Sequence, residues 1–214
     1  MNQRVVSLGG NCMVALEMRK FFGIEAANLF DWWITPGDAL VQLVENDFAG
    51  LFSRENLRIV GEGRSVADVR YGILHHHDFF RNEENDRVEE IRQPEIEGNL
   101  NKLAYLKKRW DELGRQASVL FVRWGWNLPE PLLEGIAREP GGGDPARLIA
   151  ALDRKFPQLE YRILLMDAPE AALEHKKLVY RNTLEFTEPG ECLDAANLAW
   201  KDNTPIFARV FATV

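Results

Sequence analysis

RVVSLGGNCMVALEMRKFFG, residues 4–23, passes from a β-branched run through two glycines into a helical repeat. Val14, Ala15, Met18, Phe21 and Phe22 recur at helical spacing after Gly9-Gly10, so the stretch predicts a strand, a tight turn and a helix. Asn11 has the short acceptor side chain of an N-cap, which leaves Cys12 in the first helical turn, and Gly23 stands where a helix closes in left-handed backbone. Gly10, Asn11, Cys12 and Met13 are thereby expected at the carboxyl end of a strand, where open α/β sheets collect their ligands.

Working outward, Ser118–Trp124 (SVLFVRW) and residues 161–167 (YRILLMD) have the composition of strands buried on both faces. Ile96, Leu100, Leu103, Leu106, Trp110 and Leu113 form an amphipathic helical stripe before the first run, and Leu148, Ile149, Leu152 and Phe156 form another between the two. Residues 140–145 make a flexible loop ahead of that second helix. Thr35 reads as a helix cap followed by Pro36, Gly37 and Asp38, opening a helix that runs to Glu45. Val69, Tyr71 and Ile73 alternate with Arg70 and Gly72, which predicts a strand delivering His75, His76, His77 and Asp78 at its end. Residues 81–94 are charged and poor in core side chains, a solvated excursion, and residues 206–211 are the last strand candidate. The alternation of elements predicts an α/β fold: a three-layer, largely parallel sheet with helices on both faces. The runs at 4–8, 118–124 and 161–167 are expected side by side in it, within a single domain spanning residues 1–214.

The 214 residues suit one domain of the usual size, roughly 100–200 residues. A formal charge of −7 without a basic block argues against nucleic acid as a partner. No apolar run approaches the roughly 18 residues of a membrane helix, and the first residues lack the pattern of a signal peptide, so no membrane association and a cytoplasmic location are expected. Cys12 and Cys192 are too few for a disulfide framework and are expected as free thiols. Nothing in the sequence fixes the oligomeric state.

A helix N-terminus stabilises a thiolate, which makes Cys12 a candidate nucleophile, and the amides of Gly10, Asn11 and Met13 are candidates to hold an oxyanion. The alternative for Cys12 is a small buried residue that packs the turn. Three of the four histidines fall together in LHHHDFF and offer a general base; alternation puts His75 and His77 on one face and His76 on the other. No His-x-x-x-His or Cys-x-x-Cys spacing accompanies them, so neither a metal nor another cofactor is expected. Asp31, enclosed in Phe30-Asp31-Trp32-Trp33, needs a partner, either a histidine or Arg123. Arg123, near the end of an apolar run, either binds an anionic substrate or pairs with Asp31 or Asp167.

The segments VSLGGNCMVALEMRKFFG (6–23), NLFDWWIT (28–35), ENDFAGLF (45–52) and YGILHHHDFF (71–80) resemble a bacterial family of papain-like cysteine peptidases, a domain of unknown function. The match is densest over the first 80 residues, with RVVSLGGNC and FDWW its most specific parts. The resemblance implies a thiol nucleophile at Cys12 and a histidine base carried to His77, with His75 the next ring. It also implies a papain-like α+β fold as the alternative to the three-layer sheet. Asp31, Asn127 and Asp167 are the candidates to orient the histidine.

These features support a cysteine-dependent hydrolase or acyltransferase acting on a peptide, acyl or other small-molecule substrate. Two alternatives stand beside it. One is a non-catalytic module that binds an anionic small molecule or sugar phosphate at the glycine turn. The other is a fold like that of the GDS-type esterases, with cysteine in the nucleophile position; no Asp-x-x-His near the C-terminus supports it.

Overall fold

Residues 3–126, 144–167, 175–191 and 203–214 are described by the computed structural model. In chain order the strands and helices are β1 (Arg4–Ser7), α1 (Cys12–Phe22), β2 (Trp33–Ile34), α2 (Gly37–Glu45), β3 (Leu57–Val60), β4 (Ser65–Asp68), β5 (Ile73–His75) and α3 (Gln93–Asp111). They continue with β6 (Ser118–Trp124), α4 (Pro145–Lys155), β7 (Glu160–Met166), β8 (Leu178–Arg181) and α5 (Thr204–Phe211). The chain is mixed α/β. One sheet is parallel throughout, in the order β1-β6-β7-β8, and brings the three runs predicted as neighbours side by side. The other is antiparallel, in the order β2-β5-β4-β3. A single parallel bridge, Gly10 to Ile34, joins the extension of β1 to β2 and so links the two.

Alternation along β6 divides its side chains between two apolar clusters. Leu120, Val122 and Trp124 pack with Met13, Val14 and Met18 of α1 and with Phe207, Val210 and Phe211 of α5. Val119 and Phe121 belong to the larger cluster, with Trp110 of α3 and with Leu148 and Leu152 of α4. There the Trp110 ring centroid lies 5.8 Å from Phe121 and 5.3 Å from Phe156. The helix carrying Cys12 is thus packed on a parallel sheet. Its ends are set as their residues dictate: Asn11 Oδ1 accepts from the Met13 amide at 3.0 Å, and Gly23 closes the helix at φ 64° with its N–H donated to Arg19.

Several expectations are corrected. Residues 206–211 lie in helix α5, because Ile206, Phe207, Val210 and Phe211 have the spacing of one helical face and Pro205 suits a first turn. The strand expected from Val69 begins at Ile73; Asp68 accepts the Gly72 amide through its carbonyl, so residues 68–72 turn instead of extending. α2 has Pro36 at its cap position with no side-chain cap, and Thr35 is buried. Strands β2, β3, β4 and β8 had no counterpart in the sequence expectations. Of the flexible loop expected at 140–145, residues 140–143 lie outside the described residues, as do Asn127 and Cys192.

The glycine turn is the tightest point of the design. A Cβ on Gly10, at φ +121°, would sit 2.1 Å from the Trp124 carbonyl oxygen, whereas one on Gly23, at φ +64°, meets nothing within 4 Å. Gly23→Ala is therefore expected to cost about 1 kcal/mol from backbone strain alone, and Gly10→Ala about 3 kcal/mol or more, because strain and overlap add there. Urea unfolding of the two variants measures the difference.

Candidate functional site

Cys12 is the first residue of α1, directly beyond the end of β1 and the glycine turn, and is partly exposed. Each residue of the approach is held. The Leu8 amide donates to Val122 at 2.7 Å, the Gly9 amide to Ser7 Oγ at 3.0 Å, and the Trp124 amide to the Gly9 carbonyl at 3.3 Å. The Thr35 amide donates to the Gly10 carbonyl at 3.0 Å and the Gly37 amide to the Trp126 carbonyl at 3.0 Å. The N-termini of α1 and α2 accordingly open at the same edge, next to the end of β6. Burial is the larger influence on the Cys12 thiol and pushes its pKa up; its own backbone amide lowers it in part. The thiolate expected from the helix N-terminus is therefore opposed by desolvation. The Met13 amide, a candidate for the oxyanion, is occupied by Asn11 Oδ1.

Arg123 is completely buried, and its described hydrogen bonds run to main-chain oxygens: Nη1 to Leu8 at 3.0 Å and Nη2 to Thr35. Both acceptors flank the Gly10–Ile34 bridge. The guanidinium thus clasps the end of β1 to the end of β2, in place of the described contact with Asp31 or Asp167 that was expected. Asp31 is buried as well and accepts from Arg19 Nη2 at 2.9 Å and from the Asn28 amide at 2.9 Å; burial raises its carboxyl pKa, and the bonds to Asn28 and Arg19 pull it down. The Asp167 carboxylate is taken by Trp124 Nε1 at 2.8 Å and by the Thr183 amide and hydroxyl at 2.7 and 2.6 Å. Neither aspartate has a described hydrogen bond to a histidine.

The three histidines have three environments. His75 is buried in the core, its ring 4.4 Å from that of Phe52, with Nδ1 3.0 Å from Asp78 Oδ2 and Nε2 without a partner. His76 is partly exposed and lies 3.0 Å through Nδ1 from Ser65 Oγ. His77 is exposed and packs edge-on against Trp32 at 5.8 Å. Desolvation lowers the pKa of both His76 and His77; for His77 the neighbouring Asp78 carboxylate offsets part of it. Asp78 is a residue whose role the sequence concealed. Its side chain is fully enclosed and accepts from Trp33 Nε1 at 2.9 Å and Lys102 Nζ at 2.7 Å, besides His75. A strand extrapolated through residue 78 turns Asp78 away from His75, whereas the turn that follows β5 restores an i,i+3 contact.

Register relates the thiol to the imidazoles. Gly10, Ile34 and Leu74 form one row across β1, β2 and β5. From that row the chain continues to Cys12 in the direction of Thr35 and Pro36, while antiparallel β5 continues through His75, opposite Trp33, toward His77. At that end the exposed His77 ring packs against Trp32, over which the Arg19 guanidinium of α1 lies at 5.5 Å. Among the described residues no cluster of three or more His, Cys, Asp or Glu could hold a metal ion, and no helix is long and apolar enough to cross a membrane.

A mixed α/β protein with a cysteine opening the helix after its first parallel strand defines the class. Residues 3–168 match the family described as "Putative papain-like cysteine peptidase (DUF1796)", and the chain belongs to that family. No curated protein and no solved structure matches it.

Two outcomes follow from these contacts. Arg123→Met keeps an aliphatic stem but strands the Leu8 and Thr35 carbonyls, and should cost about 3 kcal/mol in urea unfolding. Asp78 is held well below the ordinary carboxylate range, with the hydrogen bond and charge of His75 and then Lys102 outweighing the desolvation that would raise it. A depressed folded-state value stabilises above the unfolded pKa of about 3.9 and is lost as the pH falls below it. Stability of the native chain should therefore drop more steeply below about pH 4 than that of Asp78→Asn, as measured by unfolding midpoints across the acid range.

Proposed function

We propose that the protein is a cysteine-dependent hydrolase or acyltransferase in which Cys12 is the nucleophile. The observation that carries this is the position of Cys12 as first residue of α1, partly exposed, beyond a glycine turn at the carboxyl end of a parallel strand. Membership of a family named for cysteine peptidases supports the same chemistry. In the proposed reaction the thiol gives its proton to a base, the sulfur forms a bond to an acyl carbon, and the leaving group departs with a proton. Water or a second acceptor then releases the acyl group. His77 is the proposed base. Because the sheet carries it away from Cys12, the pair operates through a rearrangement of the segment that follows β5. Gly10 and Asn11 line the turn at which the oxyanion would form. The three-layer arrangement in one domain is part of the same proposal, supported by apolar clusters that draw on alternate residues of β6.

Two observations favour a second reading, a binding module for an anionic small molecule. Burial pushes the Cys12 thiol up, and the Met13 amide is already committed to its cap, as suits a turn that binds without attacking.

Alkylation by iodoacetamide, followed residue by residue across pH, separates the two. A catalytic Cys12 should react faster than Cys192, with a rate rising toward alkaline pH as the raised thiol ionises. His77→Ala should lower its neutral-pH rate by about tenfold or more. Equal, slow modification of both cysteines would favour the binding module, and a His77→Ala profile identical to the native one would remove His77 from the mechanism.

A further inference from the structure

At the amino end of β1, away from the thiol, a groove of about 620 Å³ opens between the start of the strand and the segment leaving α1. Its volume is within the range of small-molecule sites, roughly 300–1,000 Å³. Arg4 and Arg109 both line it, joined by the amide side chain of Gln116, and Val5, Phe22 and Ile24 supply an apolar wall. Arg109 is fixed: Nη1 donates to the Ala27 carbonyl at 2.6 Å, and its guanidinium lies 5.9 Å from the Tyr105 ring. The Arg4 side chain has no hydrogen bond or ion pair within the described residues, its main chain being part of the β1–β6 ladder. Burial and then the charge of Arg109 lower its pKa, and Glu112 offsets this in part. Two cations of the same sign therefore share a partly desolvated groove, an arrangement that an anion between them relieves.

We infer that this groove binds an amphipathic carboxylate, with its two oxygens on Arg4 and Arg109 and a short aliphatic chain along Val5, Phe22 and Ile24. A carboxylate matches the planar fork of a guanidinium, whereas an ammonium or neutral headgroup leaves the two charges opposed. Inorganic phosphate satisfies the arginines but covers none of the apolar wall. The site is independent of Cys12 and of the function proposed for it.

Octanoate is the probe, titrated into the full chain and followed by the amide NMR shifts of residues 3–5 and 22–24. Saturable shifts there, absent with octanol and much weaker with phosphate, are expected. Arg4→Gln should weaken octanoate about tenfold or more, since it removes a charge-assisted hydrogen bond without touching a described contact. Arg109→Gln also releases the Ala27 carbonyl, so the unfolding midpoint of each variant is measured alongside to distinguish lost binding from lost fold. Absence of saturable shifts, equal binding of phosphate, or octanoate binding unchanged in a folded Arg4→Gln protein would each overturn the proposal.

Discussion

A guanidinium fully withdrawn from water holds the two halves of this fold in register. Arg123 projects from the central parallel strand and donates to the carbonyls of Leu8 and Thr35, the points at which β1 and β2 run out of ladder partners. Main-chain oxygens at strand ends are expensive to bury unsatisfied, and so is a guanidinium; each offsets part of the cost of the other. The Gly10–Ile34 bridge lies between these two acceptors, so the clasp fixes the only described strand bridge between the sheets. The glycine turn, the start of α1 and the orientation of Cys12 all depend on it. An arginine that the sequence offers either as an anion anchor or as the partner of an internal acid holds main-chain carbonyls beneath the glycine turn.

Three of the four strands of the parallel sheet, β1, β6 and β7, were legible because their information is local. Apolar runs of seven residues at β6 and β7, with helical stripes between them, leave few other ways to bury the chain. The caps of α1 were legible for the same reason: Asn11 and Gly23 act within a few residues of themselves. The antiparallel sheet was not. Its strands are two to four residues long, and β3 exposes the adjacent residues Arg58 and Ile59, so no period of two is written in it. The apolar cluster at 206–211 suited either element, and its packing against α1 made it a helix. The partner of Arg123 was hidden because orphan carbonyls leave no mark in the sequence.

The histidine run shows the same limit at the level of chemistry. Consecutive histidines do not form one functional group: His75 is sequestered with Asp78, His76 faces Ser65, and His77 lies against Trp32 at the surface. Strand alternation grouped His75 with His77, but the strand ends at His75, and beyond that residue alternation says nothing. At Cys12 two physical effects compete, the favourable field of a helix N-terminus and the cost of desolvating a thiolate. Burial pushes the Cys12 thiol up and outweighs the opposing pull of its own backbone amide, so position at a helix start does not by itself make an activated cysteine.

The claim that Cys12 attacks acyl carbon is tested most directly by peptide mass spectrometry after brief exposure of the full chain to an activated acetyl ester and acid quenching. An acetyl group on the Cys12 peptide that builds up rapidly, decays in time, and is absent from Cys12→Ser and from Cys192 is the result expected of a nucleophile. No adduct at Cys12, or equal acetylation of both cysteines at the rate of an ordinary surface thiol, would contradict it.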